Sequence, residues 1–269
     1  MQRSNSMLRP RIIPCLLIHD SGLVKTVNFK SPKYVGDPIN AVKIFNEKEA
    51  DELMVLDIDA TSRGLEPNYD LIKKLAAECR MPLCYGGGVT SVAQATKIIS
   101  LGVEKVSISS AAVENPNLVR ELAEAVGKQS VVVVLDIIKR KGLFSKGYEL
   151  STRNNTRKHK IDPVSFAKEM ADLGAGEIVI NFVDNDGVMG GYDVAYCSTI
   201  KSQINIPVTF LGGAGSYDHL SALIDQCGIV GAAAGSLFVF KGKYRAVLIS
   251  YPTPEQKDII CNGVMSNRL

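Results

Sequence analysis

The feature that most constrains this chain is an internal repeat. Glu52, Asp59, Pro82, Gly87 and Gly88 recur 125 residues later as Glu177, Asp184, Pro207, Gly212 and Gly213. After one inserted residue, Gly102, Ser109 and Ser110 match Gly228, Gly235 and Ser236. Between these markers, short β-branched runs alternate with helix-period segments, the pattern of parallel strands joined by crossover helices. Strands are predicted at Arg11–Leu17, Glu52–Ile58, Leu83–Gly86, Lys105–Ser109, Ser130–Asp136, Glu177–Asn181, Val208–Leu211 and Val230–Ala234. Helices are predicted at Asp37–Lys48, Asn68–Cys79, Val92–Leu101, Asn117–Val126, Pro163–Leu173, Val194–Gln203 and Tyr217–Cys227, with a last one after Lys241. Two copies of a four-strand half fit a closed (β/α)8 TIM barrel with a two-fold half-barrel repeat, and fit an open doubly wound sheet poorly. Pro14 lies inside the first strand and cannot donate to a ladder, so a local irregularity is expected there.

Length agrees with that count. The 269 residues, 46% of them hydrophobic, suit a single domain over 1–269 with its core at about 11–250. A net charge of +3 with Lys and Arg dispersed along the chain argues against nucleic acid and leaves small anions open. Six cysteines without C-x-x-C spacing read as buried free thiols. Residues 1–10 lack the apolar stretch of a signal peptide, and no window approaches a membrane span, so a cytoplasmic protein is expected. His19, His159 and His219 have no mutual spacing for a metal, and no serine lies in a nucleophile elbow; no metal and no cofactor are expected.

Glycines directly follow the third and seventh strands, in Gly86-Gly87-Gly88 and Gly212-Gly213-Ala214-Gly215, where a backbone can approach a ligand closely. The next strand of each half ends at Ser109-Ser110 or Gly235-Ser236, before another helix start. The barrel mouth is therefore predicted to carry two phosphate cradles and to bind a phosphorylated small molecule. Asp136 follows four valines and a leucine, so it closes a buried strand, where desolvation can bring a carboxyl toward general acid or base range. Asp186 in Asp184-Asn185-Asp186-Gly187 reads equally as a turn residue or a ligand contact. Asp59 reads as a loop cap. Lys25, placed in a loop after strand one, is either a phosphate contact or a solvated lysine. The basic segment Ile137–Ile161 reads as a solvated loop or hairpin, or as a flap beside an anionic ligand.

Five runs together resemble one family. Arg11-Ile12-Ile13-Pro14-Cys15, Gly86-Gly87-Gly88-Val89, Lys105-Val106-Ser107-Ile108 with Ala111-Ala112-Val113-Glu114-Asn115-Pro116, Asp184-Asn185-Asp186-Gly187 and Gly212-Gly213-Ala214-Gly215 are similar to the cyclase subunit of imidazole glycerol phosphate synthase, HisF. The resemblance covers about Arg11 to Phe240. It implies a lyase subunit of a glutamine amidotransferase complex in histidine biosynthesis. Such a subunit is a heterodimer partner of a HisH-like glutaminase, conducts its ammonia through the barrel, and binds a bisphosphorylated ribotide. By position it implies phosphate contacts at Gly88, Ser109 and Ser110 on one side and at Gly213, Gly235 and Ser236 on the other. It places Asp136 on a catalytic aspartate, Lys25 on a mobile-loop lysine, and Asp186 with Gly187 beside the ligand. It also implies an ammonia gate of Arg11, Glu52, Lys105 and Glu177.

The mouth departs from the family pattern. Leu17 stands where the family has its other catalytic aspartate, Ser109 replaces an asparagine, Asn181 a threonine and Leu211 a serine. Diverged HisF-like members serve surface-polysaccharide pathways, so the resemblance implies that ammonia here supplies a sugar amidotransferase making an acetamidino sugar for lipopolysaccharide or O-antigen. A genuine histidine-pathway cyclase, in which Asp136 suffices or Asp59 substitutes for the lost partner, and a scaffold that only activates the glutaminase are the alternatives.

Overall fold

The computed structural model describes residues 9–140 and 147–266. In chain order its main strands are β1 (Arg11–His19), β2 (Gly22–Val27), β3 (Lys30–Gly36), β4 (Leu53–Asp57), β5 (Leu83–Gly86) and β6 (Lys105–Ile108). Then follow β7 (Val131–Lys139), β8 (Tyr148–Thr152), β9 (Arg157–His159), β10 (Glu177–Phe182), β11 (Val208–Leu211) and β12 (Gly231–Ala234). Parallel pairing runs β1, β4, β5, β6, β7, β10, β11, β12 and back to β1. The ring is closed, and its eight strands are the eight predicted ones.

Helices cross between consecutive barrel strands because the sequence starts and stops them there. Asp37, Asn68, Asp162, Asp193 and Ser216 each accept a backbone N–H of the first turn, and Ser91 and Gln94 form a capping box. The final helix, Pro254–Ser266, packs on the helix Tyr217–Cys227. Strand alternation then sorts side chains into two apolar layers. On β1, Ile12, Leu16 and Ile18 face the helices, whereas Ile13, Cys15 and Leu17 join Met54, Cys84, Val132, Val134, Val179, Leu211 and Ala233 in the bore.

Two expectations need correction and a third is narrowed. Pro14 causes no register shift: β1 pairs with β12 from Arg11↔Gly231 to Pro14↔Ala234, and with β4 from Cys15↔Met54 onward. The stagger of a tilted barrel puts the proline where one ladder ends and the next begins, so its missing N–H costs little. Second, Lys25 is in no loop. It lies in β2 of a hairpin whose turn, Asn28 and Phe29, has φ of 52° and 62°. Its side chain is 5% exposed, which excludes the solvated reading. Third, Asp59 caps the turn after β1, where it accepts the Asp20 amide, and not the helix that follows it, where Asp57 Oδ1 accepts from the amides of Asp59 and Ala60. The basic segment is a hairpin: β8 pairs antiparallel with the end of β7, and β9 with β8. Its residues 141–146 lie outside the described residues.

Candidate functional site

The strand N-termini close the barrel bottom with a ring of charge. Arg11 bonds to Glu52 and, at 2.7 Å, to Glu177; Lys105 Nζ lies 2.8 Å from Glu52 and 2.9 Å from Glu177. Each carboxylate bridges both cations, so all four residues named from the sequence meet. Burial opposes the charge on Glu177, but Arg11 and Lys105 more than offset it and hold this carboxyl well below the usual carboxylate range. The same balance favours charge on the cations: burial works against it, but Glu177 and Glu52 raise the pKa of both Arg11 and Lys105. Thr209, which the sequence reading missed, donates to Glu177 at 2.5 Å. Its room comes from Gly231, where a Cβ would sit 1.8 Å from the Thr209 hydroxyl.

At the strand C-termini the cradle residues line two cavities. A basin of about 730 Å³ is bordered by Gly88, Ser109, Ser110, Leu17 and Asp136, together with Asp57, Asn181, Phe29, Arg153 and Asn154. Gly87 and Gly88 have φ of 124° and 71°, and a Cβ on Gly87 would meet the Asp57 carbonyl at 2.4 Å. This turn is therefore restricted to glycine. Ser110 Oγ accepts from the Arg153 amide at 3.1 Å, which ties the basic hairpin to the basin rim. A second cavity of about 30 Å³ is bordered by Lys25, Asp186, Gly187, Gly213, Gly235 and Ser236. Asp186 borders this cavity, and its carboxylate accepts from the Thr26 hydroxyl at 2.6 Å and the Phe29 amide at 3.3 Å.

Asp136 is a buried carboxyl of the basin. Burial raises its carboxyl pKa to about 7; the Asn181 amide, donating at 2.8 Å, partly opposes the rise, and Asp186 adds to it. Near neutrality it exchanges a proton at little cost, which suits a general acid or base. The sign for stability follows. The folded chain keeps this proton up to about pH 7, whereas an unperturbed aspartate loses it near 3.8. Stability from this group falls as pH rises through that window, because the folded state binds the extra proton. Asp136→Asn is expected to be more stable than the parent by about 4 kcal/mol at pH 8 and about equal to it at pH 4. Urea midpoints at the two pH values measure this.

Asp57 is the carboxylate that sequence reasoning overlooked. Burial raises its pKa, against the two amides that it accepts. Its position at the end of β4, as Asp136 follows the apolar run of β7, was the available signal. Ser151, register partner of Asp136, has a buried hydroxyl without a hydrogen-bond partner among the described residues. Asp59 accepts from His19 Nδ1 at 2.7 Å and the Asp20 amide at 2.8 Å, which leaves it tied to the end of β1 and outside the lining of the basin. His19, Asp20 and Asp59 do converge, although their sequence spacing showed no such cluster. The Arg63 guanidinium sits 2.7 Å from Asp20 and 3.6 Å from Asp59, so an internal cation already balances them.

The arrangement is thus a closed eight-strand barrel with a charge ring below, an apolar bore, and paired glycine–serine cradles above. A family model described as "Histidine biosynthesis protein" matches residues 11–245. A Vibrio vulnificus protein provisionally named imidazole glycerol phosphate synthase subunit hisF3 is 59% identical over 251 residues, covering 93% of this chain and 96% of its own. The chain belongs to the HisF family. Other relatives match nearly as closely: a provisionally named HisF subunit of Leptospira borgpetersenii is 54% identical across 94% of this chain and 99% of its own. A Pseudomonas aeruginosa relative, provisionally named subunit hisF2, is 52% identical across 94% and 100%. Within this HisF barrel the bottom ring is intact, and Leu17 borders the basin from the upper end of β1. Among the described residues, no helix is long and apolar enough to cross a membrane.

Proposed function

We propose that this HisF-type subunit receives ammonia from a HisH-like glutaminase, conducts it through the barrel, and delivers it at the mouth to a sugar amidotransferase. The acceptor chemistry is formation of an acetamidino sugar for lipopolysaccharide or O-antigen. One observation carries the reading: β1 keeps a gate cation, Arg11, at its lower end and presents Leu17, not a carboxylate, to the basin at its upper end. Six residue steps of about 3.3 Å separate the two by roughly 20 Å, close to the depth of a barrel. The side chains between them are apolar, which suits neutral ammonia and disfavours ammonium. In this reading Gly88, Ser109 and Ser110 form one phosphate cradle and Lys25, Asp186, Gly187, Gly213, Gly235 and Ser236 the other. Asp136 is the remaining acid–base residue.

The test is a complex of the purified chain with its glutaminase. It should hydrolyse glutamine, yet cyclise the histidine-pathway ribotide only at a trace rate. Robust cyclisation by the wild-type complex would overturn the proposal. Ser107, 3% exposed and bordering the basin floor, separates conduit from scaffold. Ser107→Phe should leave glutamine hydrolysis intact while ammonia reaching the mouth drops, and unchanged delivery would favour a scaffold.

A second reading, a histidine-pathway cyclase, is favoured by the relatives' names and by the retained Asp136. Growth without histidine of a cyclase-deficient strain carrying this gene would establish it. Asp59 gives that reading no help, since His19 and the Asp20 amide already engage its carboxylate.

A further inference from the structure

Three segments stand at the mouth end of the barrel, after its first, sixth and eighth strands, and hydrogen bonds join them into one surface. The β2–β3 hairpin follows β1, the loop 187–190 follows β10, and a short hairpin of β13 (Phe240–Lys241) and β14 (Ala246–Val247) follows β12. The Asn28 amide donates to the Asp186 carbonyl, Arg245 Nη2 to the Gly187 carbonyl at 3.1 Å, and Lys33 Nζ to the Arg245 carbonyl at 3.4 Å. The Lys33 ammonium also lies 5.1 Å from the centre of the Phe240 ring. A Cβ on Gly187 would stand 3.1 Å from Val27 Cγ2, so Val27 lies against the residue that precedes Val188.

The surface is apolar and basic. Of the eight large apolar side chains exposed among the described residues, five lie on it: Val27, Val188, Tyr244, Val247 and Leu248, with Tyr244 90% exposed. Lys30, Lys33, Lys241 and Lys243 are exposed on the same two hairpins. None of the stretches 22–36, 187–190 and 240–250 contains an aspartate or a glutamate, although the whole chain has 28 acidic residues to 31 basic ones. Asp186, at the inner edge, is already engaged by Thr26 and Phe29. Exposed apolar residues scattered singly are ordinary, but a cluster of them among charges of one sign marks an interaction surface.

Charge selects the occupant. A second copy of the chain seated by the same face would oppose lysine to lysine, whereas an acidic protein face complements it. The surface also abuts the openings: Phe29 borders both mouth cavities, and Lys25, Asp186 and Gly187 border the smaller one. Ammonia that left the apolar bore into open water near neutral pH would take up a proton, and ammonium has no lone pair with which to attack. The enzyme that uses it must therefore be seated at the rim. We propose that the β2–β3 hairpin, Val188 and the β13–β14 hairpin are the docking surface for the sugar amidotransferase, which presents acidic residues around an apolar centre. This rests on the conduit reading.

Affinity of the full-length chain, in complex with its glutaminase, for the purified sugar amidotransferase tests it. The parent should bind, and more weakly as salt rises. The double variant Lys243→Glu, Tyr244→Asp should bind at least about 10-fold more weakly, through a lost aromatic anchor and a reversed charge. Lys241→Glu with Lys243→Glu, confined to exposed lysines, should weaken binding in the same direction and serves if the first variant does not fold. Ile259→Asp, at a side chain 68% exposed on the final helix, should bind as the parent does. A parent that does not bind, or folded hairpin variants that bind as tightly as the parent, would overturn the docking surface. Vesicles of phosphatidylglycerol should not bind at physiological salt; vesicle binding that the hairpin variants lose would assign the face to an anionic lipid surface instead. Docking and conduit fail separately. A hairpin variant that docks normally and still makes product from glutamine would sink the surface alone. A parent complex that docks through this face, yet makes product from ammonium salts and not from glutamine, would sink the conduit alone.

Discussion

Glu177→Ala is expected to destabilise the barrel by about 3–5 kcal/mol, the usual cost of removing one partner from a buried ionic cluster. The glutamate accepts from both cations and from Thr209, so the variant leaves Arg11 and Lys105 sharing Glu52 and strands a buried hydroxyl. Arg11 and Lys105 side chains are 26% and 18% exposed, so water takes up part of their charge and the lower end of the range is expected. The pH dependence separates charge from packing. Because the folded pKa of Glu177 is depressed, its contribution is complete above the unfolded value of 4.5 and is lost as pH falls below it. The gap between parent and variant should be widest from pH 6 to 8 and shrink below pH 4, read from denaturant midpoints. A gap that stayed constant with pH would mean that packing dominates. On the proposed conduit, the same variant in the glutaminase complex should let glutamine-derived ammonia escape to bulk solvent.

Leu17→Asp is expected to raise cyclisation of the histidine-pathway ribotide by at least about 10²-fold, the usual contribution of one positioned acid–base group. Leu17 and Asp136 both border the basin, so the new carboxylate would enter the compartment that holds the existing one. Stability should fall at the same time. Leu17 is 8% exposed and packs in the bore cluster, and replacing it exchanges apolar contact for a desolvated carboxyl beside Asp136. That loss should be larger at pH 8 than at pH 5, because both carboxyls resist ionisation. A folded variant with no gain in cyclisation would show that Ser109, Asn181 or Leu211 also blocks the reaction.

Much of this was legible in the sequence because barrel strands and crossover helices carry their periodicity locally. The predicted strands at Leu83–Gly86 and Val208–Leu211 and the helices at Asn117–Val126, Pro163–Leu173 and Tyr217–Cys227 coincide with the observed ones. Capping residues and glycines mark their ends within a few positions of the hydrophobic pattern. The β2–β3 hairpin escaped because its turn uses Asn28 and Phe29 at positive φ without a glycine, and β3 is mostly exposed. With the hairpin went the burial of Lys25 and the true partners of Asp186. Asp57 was missed for a related reason: Asp59, its repeat-matched neighbour, drew attention, but only the turn geometry shows that Asp57 holds the amides.

By itself the sequence determined the barrel, its two-fold repeat, the identities in the charge ring and the glycine–serine pairs, since each depends on residue type at a strand or helix end. Tertiary structure decided what the repeat could not. Arg11 stands in register with Gly231, the repeat mate of Lys105, so the second half has no cation at that position: Thr209 takes the room beside Gly231, and a residue from β1 supplies the ring's other cation. Likewise the two cradles match in sequence but differ in room: the hairpin inserted after β1 places Lys25 in the smaller cavity and borders the larger one only through Thr26 and Phe29. Repeats constrain what each half contains; the closing contacts between halves, which come from residues distant in the chain, set what each half can hold.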